Sequence, residues 1–334
     1  MSLDEFGLIE RIRRRAGARP DVALGIGDDA ALLQMPPGQQ LVVTADTLNA
    51  GVHFPVETPA ADIGWKALAV NLSDLAAMGA APAWCTLSLS LPEASPVWVD
   101  AFADGFFQLA DPHGMALIGG DTTRGPLSIS ITAMGHVPAG KALRRDGAQP
   151  GDDVWVTGMP GEAGLALALW QRQRLQVTGP ASDAALEHLR GRLARPTPRL
   201  AAGLALRGLA TAAIDVSDGL LADLGHICER SQVAAEVLEG ELPMSQMAAQ
   251  AGEAEVFRML RASAGDDYEL CFTAPASQRE QVFESMASVA VRVTRIGYIR
   301  AGSGVRLVNG EGTVLATSRL GFDHFSAAGQ SADH

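Results

Sequence analysis

Three apolar runs in this chain each end on an acid: LVVTAD at Asp46, ALIGGD at Asp121 and ATAAID at Asp215. An aspartate where a buried strand emerges faces the crevice in which α/β sheets bind their ligands. One such residue reads as a helix cap or a local turn; three, with Thr47 beside Asp46, Gly120 and Thr122 beside Asp121 and Ser217 two residues after Asp215, are less easily dismissed. Asp28 and Asp29 add a pair in the loop GIGDDA, and Asp266 with Asp267 adds another after Gly265. Asp74 sits in ALAVNLSDLAAM, an otherwise apolar helical stretch. Lys66, Val70 and Asp74 are spaced i, i+4, i+8 and Asn71 lies three before Asp74, so a polar stripe follows one helix face. A carboxylate on a largely buried helix must be ion-paired or bind a metal. Carboxylates drawn together repel each other, and a polyphosphate would repel them further. Mg²⁺ resolves both repulsions, because it takes oxygen ligands, keeps waters and bridges carboxylate to phosphate. No thiol or imidazole cluster favours zinc. By themselves these residues imply an Asp-rich, Mg²⁺-dependent nucleotide site.

Strands and helices must present those acids. A helical opening, with Phe6, Ile9 and Ile12 inward and Arg11 to Arg15 solvated, leads to the loop at residues 25–29. The pattern predicts a strand over 40–45 ending at Asp46, a helix over 59–79 and a strand over 85–91. A helix over 98–109 follows, then strands over 115–118 and 127–137. From Pro138 to Asp153 the composition shifts to Pro, Gly and charge (PAGKALRRDGAQPGDD) and marks a domain boundary. This gives an N-terminal domain over residues 1–138 and a C-terminal domain over 139–334. The second half restarts with a strand at 154–157, a Gly-rich turn and an Ala/Leu-rich helix. A helix over 198–209 and the run 211–214, closing on Asp215, come next. Asp218-Gly219 opens a helix to Arg230, GDDYELCFT (265–273) runs into a strand, and a strand near 291–298 precedes a final hairpin. Strands alternate with helices in both halves, so the class is α/β with mixed sheets in two domains.

Two familiar fingerprints fail on chemistry. Gly25 to Ala30 matches G-x-G-x-x-A, but two acids at the turn would repel a bare pyrophosphate. Gly135 to Lys141 matches a P-loop until Ala142 stands where a Ser or Thr hydroxyl should meet Mg²⁺. The 334 residues carry a formal charge of −12, which argues against a nucleic-acid or anionic-membrane surface, since those concentrate Lys and Arg. The opening MSLDEFGLIERIRRR lacks the apolar core of a signal peptide, and no apolar run approaches the ~20 residues of a membrane span. Cys85, Cys228 and Cys271 are odd in number and form no C-x-x-C pair, as expected of buried, reduced thiols in a cytoplasmic protein.

Six blocks in order resemble the thiamine-monophosphate kinase family: GIGDDAALL (25–33), TADTLNAGVHF (44–54), KALAVNLSDLAAMGAAP (66–82), GGDTTRGPLS (119–128), AIDVSDGLLADLGHI (213–227) and GDDYELCF (265–272). The wider group is the aminoimidazole ribonucleotide synthetase superfamily. The resemblance implies transfer of the γ-phosphoryl group of ATP to thiamine monophosphate, a homodimer made through the N-terminal domain, and a C-terminal domain completing the cleft. It implies that Asp29, Thr44, Asp46, Asp74, Asp121, Asp215 and Asp218 hold several Mg²⁺ ions. Gly120, Asp121, Arg145 and Ser217 would contact ATP, and His53, Asp266 and Phe322 the thiamine phosphate, with Asp46, Asp121 and Arg145 at the reaction itself. Ala45 stands where the family often has Thr, Asp266 where it has Glu, and Phe322 where Tyr also occurs. Other readings are a different ATP-using enzyme of the superfamily and a non-catalytic Mg-nucleotide sensor. Retention of all seven proposed ligands weighs against the sensor.

Overall fold

The computed structural model describes residues 5–172, 183–246 and 254–315. The chain divides into two units, Met1–Ala142 with Ala194–Leu204, and Leu143–Leu193 with Ala205–His334. Both carry mixed sheets, as the sequence predicts.

In the first unit a helix, α1 (Glu5–Arg13), precedes a small ribbon of β1 (Val22–Leu24) and β2 (Leu32–Leu33). The buried stripe of α1 is Leu8 and Ile12, one turn apart, while Ile9, expected inward, is only partly covered. Val22, Ala31 and Leu33 pack on Trp84, Ala116 and Ile118 and so fix the ribbon. The main sheet has β3 (Gln39–Asn49), β4 (Ala81–Leu91), β5 (Ala116–Arg124) and β6 (Ser128–Pro138) in the order β3-β6-β4-β5. Only the β4–β5 pair is parallel.

Along β6, Ile129, Ile131, Ala133 and Val137 alternate with Ser128, Ser130, Thr132 and Met134, giving one buried and one more open face. The long helix α2 (Ala60–Ala77) packs against β3 and β6, and α3 (Pro96–Ala110) packs on α2. Two glycines let these helices touch. A Cβ at Gly64 would lie 2.1 Å from the Phe102 carbonyl oxygen, and one at Gly105 would lie 1.7 Å from that of Ala61. Residues 194–204 strap the other side of α2. Trp65 Nε1 donates to the Pro196 carbonyl at 2.8 Å, and Arg195 pairs with Asp62 while lying 5.6 Å from the Trp65 ring centroid.

The second unit holds a six-stranded sheet of β7 (Asp152–Thr157), β8 (Ala212–Asp215), β9 (Ala234–Leu238), β10 (Leu270–Pro275), β11 (Val293–Arg300) and β12 (Gly304–Val308), in the order β12-β9-β11-β7-β10-β8. Its helices include α4 (Glu162–Arg172), α5 (Asp183–Ala194), α7 (Leu220–Ser231), α8 (Ala254–Ser263) and α9 (Arg279–Ser288), while α6 (Leu200–Ala205) belongs almost wholly to the strap of the first unit. One core joins Val154, Val156, Ile214 and Cys271 of the sheet to Leu221, Leu224 and Ile227 of α7. All three cysteines are free and buried. No described helix is long and apolar enough to cross a membrane.

Two expected strand ends move. β3 runs three residues past Asp46 because its pairing with β6 continues to Asn49 opposite Ser128. β5 likewise runs on to Arg124 beside Leu91. Asp46 and Asp121 therefore lie inside strands, and only Asp215 is the last residue of its own.

Candidate active site

β3 is an edge strand, so every second N–H along it points away from β6 and needs another partner. At Asp46 that partner is Asn71: its Oδ1 accepts the Asp46 N–H at 3.1 Å while its Nδ2 donates to the Ala67 carbonyl at 3.0 Å. One helical turn on, Thr44 Oγ1 donates to Asp74 Oδ2 in a short hydrogen bond. The polar stripe read on α2 thus meets the inner face of β3, and Thr44, Asp46 and Asp74 come together. Lys66, 3% exposed, begins the same stripe and donates to the His53 carbonyl at 3.1 Å. The Asn49 N–H donates to His53 Nδ1 at 3.0 Å. A ring nitrogen that accepts a backbone N–H carries no proton, so neutral His53 holds its proton on Nε2.

Asp121 stands apart from that cluster. Asp46 shares a row across the sheet with Ile131, Leu87 and Gly120, whereas Asp121 falls in the next row with Ser88, Ser130 and Thr47. Adjacent rows face opposite sides of a sheet, and β3 and β5 are its two edges. The single chain does not bring Asp121 to Asp46. Gly120 has φ 150° and crosses close over β4: a Cβ there would sit 1.8 Å from the Leu87 carbonyl oxygen. Asp29 is exposed in the loop between β1 and β2, where its N–H bonds Asp28 Oδ1 at 2.8 Å.

In the second unit, Asp215 ends β8 nearly buried, and the chain turns through Val216, Ser217, Asp218 and Gly219 into α7. Backbone bonds stitch this turn to residues 266–269. The Val216 N–H bonds the Glu269 carbonyl, the Tyr268 N–H bonds that of Val216, and the Asp266 N–H bonds that of Ser217, each at 2.8 Å. Asp266 and Tyr268 both adopt left-handed backbone, with φ 65° and 50°, and Tyr268 Oη donates to Asp266 Oδ1 at 3.1 Å. The main chain beside Arg145 is tied to the same region: the Ala213 N–H bonds the Arg144 carbonyl, and Ser231 Oγ bonds that of Arg145 at 2.8 Å. The Arg145 side chain is exposed. Phe322 lies outside the described residues.

Two groups, Asp223 and Glu269, escaped the sequence reading. Asp223 accepts the N–H groups of Ser217, Asp218 and Gly219. Burial and the Asp218 charge push its carboxyl up to about 7, against those donors, which favour the anion. Glu269, fully buried, accepts from Thr157 Oγ1 and Arg192 Nη2, each at 2.7 Å, and Arg192 also pairs with Glu162. The signal for Asp223 was an acid on the first, otherwise apolar turn of a helix, LLAD, five residues after Asp218.

The donors named for a metal are carboxylates and one hydroxyl, the set a hard divalent cation prefers. Among the described residues no three such acids, imidazoles or thiols form a closed cage. A Mg²⁺ ion that completes its shell with waters and phosphate oxygens needs none, so the residues fit that ion.

Residues 27–137 match the family model for the AIR synthase related protein N-terminal domain, and residues 149–309 that for its C-terminal domain. The chain is 46% identical over 329 residues to the thiamine-monophosphate kinase of Salmonella typhimurium, covering 98% of this chain and 99% of that one. The crystal structure of thiamine-monophosphate kinase from Stenotrophomonas maltophilia K279a is 60% identical with a TM-score of 0.86, over 94% of this chain and 99% of that one. The structure of AaThiL complexed with AMPPCP and TMP is 31% identical with a TM-score of 0.76, over 97% and 99%.

Proposed function

The chain belongs to the thiamine-monophosphate kinase family, and from that membership we propose how its own residues serve the reaction. It transfers the γ-phosphoryl group of ATP to the phosphate of thiamine monophosphate, giving thiamine diphosphate and ADP. The observation that carries this is the end-to-end similarity to AaThiL, a structure that holds AMPPCP and TMP together.

Mg²⁺ ions would be held by Asp29, Thr44, Asp46, Asp74 and Asp121 of the first unit and by Asp215 and Asp218 of the second. The all-oxygen donor set and the Thr44–Asp74 bond beside Asp46 support this. Bound magnesium would neutralise the polyphosphate and the acceptor phosphate, whose mutual repulsion is the main obstacle to the reaction.

The acceptor is already an anion at neutral pH, so no side chain has to act as a general base, and the residues position and neutralise. Gly120, lacking a side chain, lets the backbone beside Asp121 approach the nucleotide. Arg145 donates its guanidinium to the polyphosphate for an in-line displacement, and Ser217 adds a hydroxyl. His53 Nε2–H donates to the acceptor phosphate, with Lys66 fixing the main chain that carries it. Asp266, held by Tyr268, sets a carboxylate against the thiazolium cation; Phe322 completes that contact.

The protein acts in the cytoplasm as a homodimer. Three free thiols support the compartment. The open face of the four-stranded sheet supports the dimer, since Leu41 and Val43 of β3 are 49% and 56% exposed there. The test is incubation of the purified protein with Mg-ATP and thiamine monophosphate, or with unphosphorylated thiamine. Thiamine diphosphate and ADP in equal amounts from the phosphorylated acceptor alone are expected; ATP binding with no thiamine diphosphate would overturn the reading.

A further inference from the structure

Three consecutive main-chain N–H groups, those of Ser217, Asp218 and Gly219, converge on a single oxygen, Asp223 Oδ2, at 3.0, 3.1 and 3.1 Å. Successive N–H groups turned to one side, at the start of a helix, make a cradle that an anion fills. Here the anion is supplied by the chain itself. Asp223 stands on the first turn of α7 and is 2% exposed, so no solvent competes for the bonds. The turn has little alternative. Gly219 has φ 130°, a conformation that side chains resist, and a Cβ on it would lie 2.6 Å from the Ser263 carbonyl oxygen. On its other side the turn is bonded through Val216 and Ser217 to residues 266–269.

We propose that Asp223 is a positioning residue of the kinase reaction: its buried carboxylate is a built-in anion that occupies the cradle and fixes Ser217 and Asp218 for the Mg-nucleotide. Two consequences follow from the geometry. The cradle N–H groups are already engaged, so this glycine-containing helix start does not receive the polyphosphate through its backbone. The turn serves the nucleotide through the side chains of Ser217 and Asp218, and their placement depends on a residue that touches neither metal nor substrate. The proposal rests on the reading that Asp215, Ser217 and Asp218 meet the Mg-nucleotide.

The experiment compares Asp223→Ala, Asp223→Asn and Asp218→Asn with the wild type in two measurements. The first is amide hydrogen exchange of residues 217–219 in protein free of metal and nucleotide. The second is KM for Mg-ATP and the Mg²⁺ concentration giving half activity, each with and without added formate. Loss of buried hydrogen bonds should speed exchange of these three amides about tenfold or more in Asp223→Ala. KM for Mg-ATP should rise by a similar factor, and formate, entering the vacated cradle, should restore both. Asp223→Asn keeps one accepting oxygen in the same volume and should lie between, which keeps the test open if the alanine variant does not fold. The proposal is overturned if the amides stay protected in the folded variants. It is equally overturned if the kinetics change with no response to formate while exchange rises throughout the unit, the signature of general destabilisation. An Asp218→Asn protein with unaltered Mg²⁺ and ATP dependence overturns the underlying reading of the turn and the proposal with it. Altered Asp218→Asn kinetics beside wild-type behaviour in Asp223→Asn and Asp223→Ala overturns the proposal alone.

Discussion

Asp267 is fully buried, and its carboxylate accepts the N–H groups of Gly161 and Ala163 where α4 begins. Burial raises its pKa to about 8, outweighing those two N–H donors and the charge of Arg192. Unfolded, the same group titrates near its ordinary 3.8. The folded protein therefore holds this proton over the window from about pH 4 to about pH 8. The associated stability is fully present below the lower value and is lost as pH rises through the upper one. Asp267→Asn removes the titration, so the wild type's urea midpoint should fall relative to the variant's between pH 5 and pH 9. A relative rise over that range would contradict the assignment. His53 offers a kinetic counterpart. With Nδ1 occupied by the Asn49 N–H, the working atom is Nε2. Glutamine, whose amide nitrogen can reach the Nε2 position, should spare the KM for thiamine monophosphate, while His53→Ala should raise it about tenfold. Equal effects of the two substitutions would remove the Nε2 donor from the account.

At the level of elements, Asp74 is placed by α2, and α2 is placed by glycine contacts. Gly105→Ala would drive a methyl group into the Ala61 carbonyl and should destabilise the protein by about 2–3 kcal/mol. Gly191→Ala, in α5 with open space at its Cβ, should instead stabilise it by up to about 1 kcal/mol. Denaturant melts of both variants check the pair; similar signs would mean the α2–α3 approach is looser than described. Much of this layer was legible in the sequence. The apolar run around Asp74 marked a buried helix, and the Lys66–Asn71–Asp74 stripe marked the face that meets β3. Strand ends were less legible. A glycine pair before Asp121 reads as a break, yet pairing with β4 carries β5 on to Arg124. LLAD marks Asp223 only as an acid on an apolar helical turn; its role depends on a turn that closes back on it, which that local pattern does not encode. The strap at 194–204 was hidden for a similar reason: its partners Asp62 and Trp65 lie some 130 residues earlier.

For the whole molecule, the acidic balance of −12 resolves into carboxylates with different tasks. Glu269 and Asp267 are buried and bonded within the fold, Asp223 fills a cradle, and Asp46 and Asp74 gather on the inner face of β3. The open sheet face makes an oligomeric prediction. Val43→Glu, at an exposed position on β3, should shift the sedimentation mass from two chains to one with little change in unfolding temperature; an unchanged dimer would place the interface elsewhere. The central claim is that the gathered aspartates hold metal for phosphoryl transfer and are not there to hold the fold. Asp46→Asn tests it most directly, because the substitution keeps the volume and the main-chain bond to Asn71 and removes the charge. The account predicts that turnover falls roughly a hundredfold or more, that more Mg²⁺ is needed for half activity, and that the unfolding temperature stays within about 2 °C. Wild-type turnover and Mg²⁺ dependence in that variant, or a loss of activity matched by a loss of stability, would contradict it.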